Sequence, residues 1–205
     1  MPVRLVLFDM DDTLCAYDRA GRIAELAALA GRPAAEVQDA IWHSGFEDRG
    51  DRGDLSSDQY LAGFAELLGT PLTQAQWLDN RRRHTTPWPD MLALVRRVQR
   101  HAKTALFTQN GPLLRDHLTA IVEEIPPLFG HGNLHVSCDL GALKDDPAVY
   151  RQLAALHGER PEDTLFIDDV PEFARAAEAA GLHAHRFDGR AGLAARLEAL
   201  GLDLG

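Results

Sequence analysis

From Val3 to Phe8 the chain is a near-continuous apolar run that stops at Asp9, the pattern of a strand covered on both faces within a parallel sheet. Similar short runs recur at Thr104–Phe107, Leu134–Val136, Thr164–Ile167 and His183–Phe187. Between most of them apolar residues return at helical spacing, over Pro112–Glu124, Pro147–His157, Pro171–Ala180 and Ala191–Leu200. Three of these segments open with proline, which suits the first position of a helix. Strand and helix therefore alternate, and the pattern predicts an α/β fold on a doubly wound parallel sheet. In such sheets ligands bind beyond the carboxyl ends of the strands, near the topological switch point, so chemistry is expected there.

The interval from Cys15 to Trp88 departs from this rhythm. It reads as several helices in a row with no convincing strand: Ile23–Leu29, Ala34–Trp42, and a third segment carrying Tyr60, Phe64, Leu67 and Leu68. Thr73 and Gln76 form the pattern of a capping box opening a fourth. Pro87 and Pro89 around Trp88 mark the return to the main fold, and Met91–Val98 forms the helix before the second strand. The expected division is an α/β core over residues 1–14 and 89–205 with a helical cap over 15–88. No internal repeat or low-complexity tract interrupts it.

Composition narrows the possible partners. Of 205 residues 45% are hydrophobic and 25% charged, enough to bury a sizeable core. The formal charge is −10, with 31 acidic against 21 basic residues, and the basic ones are scattered; a nucleic-acid partner is not expected. An anionic ligand would meet a repulsive overall field, so a phosphate site must rest on local cations, backbone N–H groups or a metal. Cys15 and Cys138 stand too far apart in the chain for a metal-binding pair and are expected as reduced thiols. The apolar run at the N-terminus is too short for a signal peptide or membrane span, so a soluble cytoplasmic protein without a membrane partner, monomer or homodimer, is expected.

The chemistry concentrates at Asp9-Met10-Asp11-Asp12-Thr13-Leu14, directly after the first strand. Asp11 or Asp12 could cap a following helix, since Asp is favoured there. Capping does not account for three carboxylates at the end of a buried strand, whose repulsion is costly unless a cation joins them or one keeps its proton. The stretch FDMDDTL resembles the first motif of the haloacid dehalogenase superfamily, Asp, one residue, Asp, one residue, Thr. The later motifs follow in order: LFTQNG, a strand ending in Thr108; Lys144 in GALKDDPAVY; and LFIDD, a strand ending in Asp168 and Asp169.

That resemblance spans the chain and implies a Rossmann-like core and a magnesium-dependent phosphatase working on a small phosphorylated metabolite, a sugar phosphate or nucleotide monophosphate. It assigns Asp9 as nucleophile, a carboxylate that forms a labile acyl phosphate, and Asp11 as the acid and base that serves leaving group and water. Thr108, the Gln109 and Asn110 N–H groups and Lys144 are implied to hold the phosphate, with Lys144 stabilising transition-state charge. Asp9, the Asp11 carbonyl, Asp168 and Asp169 are the implied surroundings of Mg²⁺, whose charge lets an anion attack an anion.

Two positions depart from the family pattern. Asp145 follows Lys144 where Pro is common, so its carboxylate is a competitor for the ammonium, and Phe173 stands where Asn is frequent. His183 and His185 alternate on a strand without acidic or cysteine partners at ligand spacing and read as ordinary strand residues. Arg81-Arg82-Arg83-His84 could reach a substrate phosphate from the cap, but its charge pattern reads first as a solvated helix face. The glycine-punctuated stretch Gly45–Asp54 is expected to close over the pocket and choose the substrate. A sugar-phosphate mutase, a catalytically silent phosphometabolite-binding protein and a dehalogenase share the fold expectation; the last needs neither Asp11 nor the Asp168-Asp169 pair.

Overall fold

The computed structural model of the protein describes residues 3–202. The first apolar run forms β1 (Leu5–Phe8), and β2 (Cys15–Tyr17) follows. Five helices come next, α1 (Arg19–Ala30), α2 (Ala34–Ile41), α3 (Phe46–Asp51), α4 (Ser57–Leu68) and α5 (Gln74–Arg83), before β3 (Thr85–Pro87). The chain then runs α6 (Pro89–Val98), β4 (Lys103–Thr108), α7 (Pro112–Ile121), α8 (Ile125–Phe129), β5 (Leu134–Val136) and α9 (Ser137–Leu140). It ends with α10 (Pro147–Leu156), β6 (Thr164–Asp168), α11 (Pro171–Ala179), β7 (His183–Arg186) and α12 (Arg190–Ala199).

Five strands form one parallel sheet in the order β5-β4-β1-β6-β7. The chain moves outward from β1 to β4 and β5, then crosses back to β6 and β7, so the switch point lies between β1 and β6. Because β1 is central, its side chains are buried on both faces: Leu5 and Leu7 pack with Phe107, Tyr150 and Phe166, while Val6 and Phe8 pack on the other side with Val95, Val98 and Leu114. Register fixes the site. Phe8 is level with Leu106 and Ile167, so the next residue on each side of the switch point is Asp9 and Asp168.

The inserted helices add an aromatic group to the same buried cluster that holds Phe8 and Leu114. Phe46, Tyr60, Phe64 and Trp77 meet with ring centroids 5.1 to 6.2 Å apart, mostly edge to face. Both helices that open on a Ser or Thr carry full capping boxes, Thr73 with Gln76 as expected and also Ser56 with Gln59.

Three features differ from the sequence expectation. The interval 15–88 is not wholly helical: β2 and β3 pair antiparallel, Cys15 opposite Pro87 and Tyr17 opposite Thr85, where the insertion leaves and rejoins the core. Three residues per strand are too few to show alternation in sequence. The glycine-punctuated stretch holds a helix, α3, rather than an open loop. The helix expected over 112–124 stops at Ile121, because Val122 is extended, and α8 follows as a separate short helix.

Candidate active site

Asp9 is 5% exposed and its backbone N–H is held by the Ile167 carbonyl at 2.9 Å, which locks the end of β1 to β6. The carboxylate oxygens of Asp9, Asp168 and Asp169 all lie within 4.8 Å of one another. Lys144 is 1% exposed; its ammonium donates to Asp9 and, at 2.7 Å, to Asp168 Oδ2. Asp168 Oδ1 accepts the Val170 N–H at 2.8 Å, which fixes the carboxylate's rotation.

Charge is not balanced here. Burial, then the neighbouring Asp168 and Asp12, pushes Asp169 up to about 6, and burial drives the Asp9 carboxyl well above the ordinary range against the pull of Lys144. Desolvation works to lower Lys144, but Asp168 and Asp9 together hold its pKa above the usual lysine value. One buried cation among three carboxylates leaves excess negative charge and hard oxygen donors facing one point, which fits a divalent ion such as Mg²⁺.

The three acids of the first motif do not point together. Asp12 has φ 52°, the one positive φ at a non-glycine position among the described residues, and it turns the chain that follows toward β2. Asp12 Oδ1 accepts the Tyr17 N–H at 3.0 Å, so it shapes the turn into β2 and stays out of the carboxylate cluster. The Asp11 carboxylate also lies outside the cluster, in keeping with an expected metal contact through its backbone carbonyl alone; it faces the insertion, where Arg81 Nη2 reaches both its oxygens at 2.7 and 2.6 Å.

Arg81 is the residue the sequence reading misplaced. It is 1% exposed rather than on a solvated face, its guanidinium carbon is 3.9 Å from the centroid of the Tyr17 ring, and its Nη1 donates to Thr85 Oγ1 at 2.9 Å. The available signal was Trp77, four residues earlier on the same helix face and buried with it. Arg82 and Arg83 are exposed as expected, Arg83 pairing with Glu25.

Thr108 is buried at the tip of β4, its Oγ1 accepting from Asn110 Nδ2 at 2.8 Å. The Asn110 amide also lies 3.3 Å from Asp11 Oδ2, so it joins the phosphate end to the acid. The Asn110 N–H donates to Ser137 Oγ at 3.1 Å and is engaged rather than facing a ligand. Gln109 accepts the Lys144 N–H at 2.9 Å through its side chain, anchoring the Lys144 loop.

Both departures from the family pattern find an explanation. Asp145 is exposed and forms no ion pair with Lys144, so it does not compete with Asp9. Phe173 packs by its ring, 5.5 Å from Lys144 Nζ, beside Phe107 and Phe166 at 5.4 Å each. The Tyr150 hydroxyl donates to the Lys144 carbonyl at 2.7 Å and lies 3.1 Å from that of Phe173. Aromatic packing and a tyrosine thus orient Lys144. His183 and His185 belong to no group of three metal-ligating side chains among the described residues.

A cavity of about 320 Å³ covers this centre, lined by Asp9, Asp11, Thr108, Lys144, Asp168 and Asp169 with Tyr17 and Arg19 from the insertion side. A haloacid dehalogenase-like hydrolase family model matches residues 3–181, which include all these side chains.

The chain belongs to the haloacid dehalogenase-like (HAD) hydrolases. Among solved structures it is similar to a predicted HAD-like hydrolase from Porphyromonas gingivalis, with 20% identity, a TM-score of 0.82 and 98% of each chain covered. A HAD family enzyme from Bacteroides thetaiotaomicron, solved with magnesium and inorganic phosphate, matches at 16% identity and TM-score 0.76 over 89% of this chain and 93% of that one. A 2-haloacid dehalogenase from Pseudomonas syringae pv. Tomato matches at 16% identity and TM-score 0.64 over 96% and 98%. At these identities the likeness shows the HAD fold and leaves the reaction to be argued from the site. No helix among the described residues is long and apolar enough to cross a membrane.

Proposed function

We propose that this HAD hydrolase is a magnesium-dependent phosphatase that acts on a small phosphorylated metabolite through an aspartyl-phosphate, and that residues 15–88 serve as its cap domain. The observation that carries the proposal is the divergence of Asp9 and Asp11. One carboxylate sits in the cluster with Asp168 and Asp169, and the other stands beside the same cavity with a partner of its own. A dehalogenase, attacking carbon, requires only the first; phosphoryl transfer requires a nucleophile and a separate proton carrier.

An Asp9 oxygen attacks phosphorus, forming an O–P bond as the bond from phosphorus to the leaving oxygen breaks. Asp11 gives its proton to that oxygen. In the second step Asp11 takes a proton from water as the water attacks the acyl phosphate, restoring Asp9 and releasing phosphate. Lys144 and Thr108 hold the equatorial oxygens, and Lys144 counters the charge that spreads over them. Asp9, Asp168 and Asp169 would hold Mg²⁺, which when bound neutralises the repulsion between nucleophile and substrate. Arg81 fixes the Asp11 carboxylate until substrate arrives.

Phosphate release from a panel of phosphomonoesters, with Mg²⁺ and with chelator, tests the proposal, with Asp9→Asn as control. Turnover that survives chelation, or survives in Asp9→Asn, would overturn it.

A further inference from the structure

Beyond the catalytic cavity, and sharing Asp11, Tyr17, Arg19, Asp51 and Gln109 with it, lies a second cavity of about 220 Å³ between the insertion and the core stretch that holds Asn110, Gly111 and Leu114. Two buried donors on its lining have no hydrogen-bond partner: Arg22 Nη2 and Trp77 Nε1. Arg22 is 3% exposed and Trp77 2%. The remaining Arg22 nitrogens are engaged by neutral groups, Nε with Asn80 Oδ1 at 3.0 Å and Nη1 with the Tyr17 hydroxyl at 2.9 Å.

The guanidinium also stacks near Trp77, 4.9 Å from its ring centroid, and no carboxylate of the described residues lies within 4.0 Å of it. Arginine cannot shed its charge, so this is a permanent cation held out of water; Glu47, buried on the same cavity lining, feels that charge without contacting it. Such a group is costly unless something anionic completes it, and cation–π contacts recover only part of the cost. A buried cation with one unused N–H, and a second orphan donor on the same cavity lining, is the arrangement of an oxyanion subsite.

We infer that Arg22 and Trp77 form a carboxylate subsite, and that the substrate is a phosphomonoester whose small leaving group carries a carboxylate. This rests on the phosphatase proposal and narrows it. A carboxylate offers two acceptor oxygens, one for Nη2 of Arg22 and one for the Trp77 indole N–H. A second phosphate suits the cavity less well, because Glu47, Asp48 and Asp51 line it too and repel a dianion more than a monoanion. Those acids and Gln38 offer partners for hydroxyl groups on the same substrate. At about 220 Å³ the cavity is smaller than the roughly 300–1,000 Å³ usual for larger ligands, which favours a small leaving group over a nucleoside. The sugar phosphate or nucleotide expected from sequence is thereby narrowed to the phosphate ester of a small hydroxy acid.

The test compares 3-phosphoglycerate with glycerol 3-phosphate, which share a three-carbon skeleton and differ by carboxylate against alcohol, each with Mg²⁺ on one enzyme preparation. The ratio of their kcat/KM values cancels any difference in folded fraction. A charge-assisted hydrogen bond predicts a preference of about tenfold or more for the carboxylate. Arg22→Met should bring the ratio to within about twofold of unity, and Trp77→Phe, which keeps the ring and removes the donor, should lower it about threefold. Should Arg22→Met not fold, the Trp77→Phe ratio decides. Hydrolysis of both esters without preference, or a preference unmoved by either substitution, overturns the carboxylate subsite and leaves the phosphatase proposal standing. If neither ester nor p-nitrophenyl phosphate releases phosphate, the phosphatase proposal fails and the subsite with it.

Discussion

Replacing Arg81 with Met keeps the bulk of the side chain and removes the guanidinium that holds Asp11. Nη2 lies 2.6 and 2.7 Å from the two carboxylate oxygens, with the Arg81 side chain 1% exposed and that of Asp11 21% exposed. Coulomb attraction at that range is worth about 6 kcal/mol at an effective dielectric near 20. Breaking a buried pair costs about 3–5 kcal/mol, but water reaching the partly exposed Asp11 reduces this to about 2–3. The melting temperature should therefore fall by about 5–10 °C. Turnover should fall further, because Asp11 loses the partner that fixes both its oxygens: kcat drops about 10–100-fold while KM changes less than about threefold. A double-mutant cycle with Asp11→Asn separates the two effects. If Arg81 acts through Asp11, Arg81→Met adds little to the kcat loss of Asp11→Asn, and the stability coupling is about 1–3 kcal/mol. Additive losses in both quantities would refute the link.

Asp9→Asn should abolish phosphate release while leaving the fold intact, measured by malachite green and circular dichroism, since the amide keeps the shape of a group that burial already disfavours as an anion. Saturating Mg²⁺ should raise the melting temperature by about 5–10 °C, following roughly 2.7 kcal/mol at a hundredfold excess over Kd; chelator should reverse the shift and Asp168→Asn should remove it. Gly53→Ala should cost about 1–3 kcal/mol in urea unfolding, because Gly53 has φ +85° and an added Cβ would stand 2.2 Å from the Cys138 carbonyl oxygen. His135, packed on His157 at 2.8 Å, is pushed down to about 4 by burial and then by His157. Between that value and about 6.5 the unfolded chain binds the proton the folded chain refuses, so stability falls as pH drops. With solvent screening the loss from pH 7 to 5 is about 1 kcal/mol, and His135→Gln should flatten it.

The sheet was legible because its central strand is buried on both faces and writes an unbroken apolar run, from which the position of Asp9 at the strand tip follows. Asp168 and Asp169 were legible for the same reason at the end of β6. The direction of each acid was not. Neighbours in sequence suggest a shared point in space, yet Asp11 faces Arg81 of the insertion, and Asp12, in a left-handed conformation, goes into backbone bonding. Arg81 was masked by charged neighbours, since Asp79, Arg82 and Arg83 make its helix look solvated on every side. Tyr150 and Ser137 act on residues brought near only by folding, through hydrogen bonds that no spacing announces. The short β2 and β3 strands owe their existence to each other, each supplying the partner that the other's three residues lack.

That small ribbon joins the insertion to the core along one edge. At the opposite edge it is latched to the core, where Ser57 donates to Asp116, and Gly53 rests against the Cys138 carbonyl. Were the insertion to turn about that ribbon, distant parts would move most and the ribbon least, and Arg81 is tied to the ribbon through its bond to Thr85 in β3. Unlatching would thus uncover the aromatic pocket around Trp77 while the acid-holding arginine stays near its place, so admission of a ligand and readiness of the catalytic end are mechanically separable.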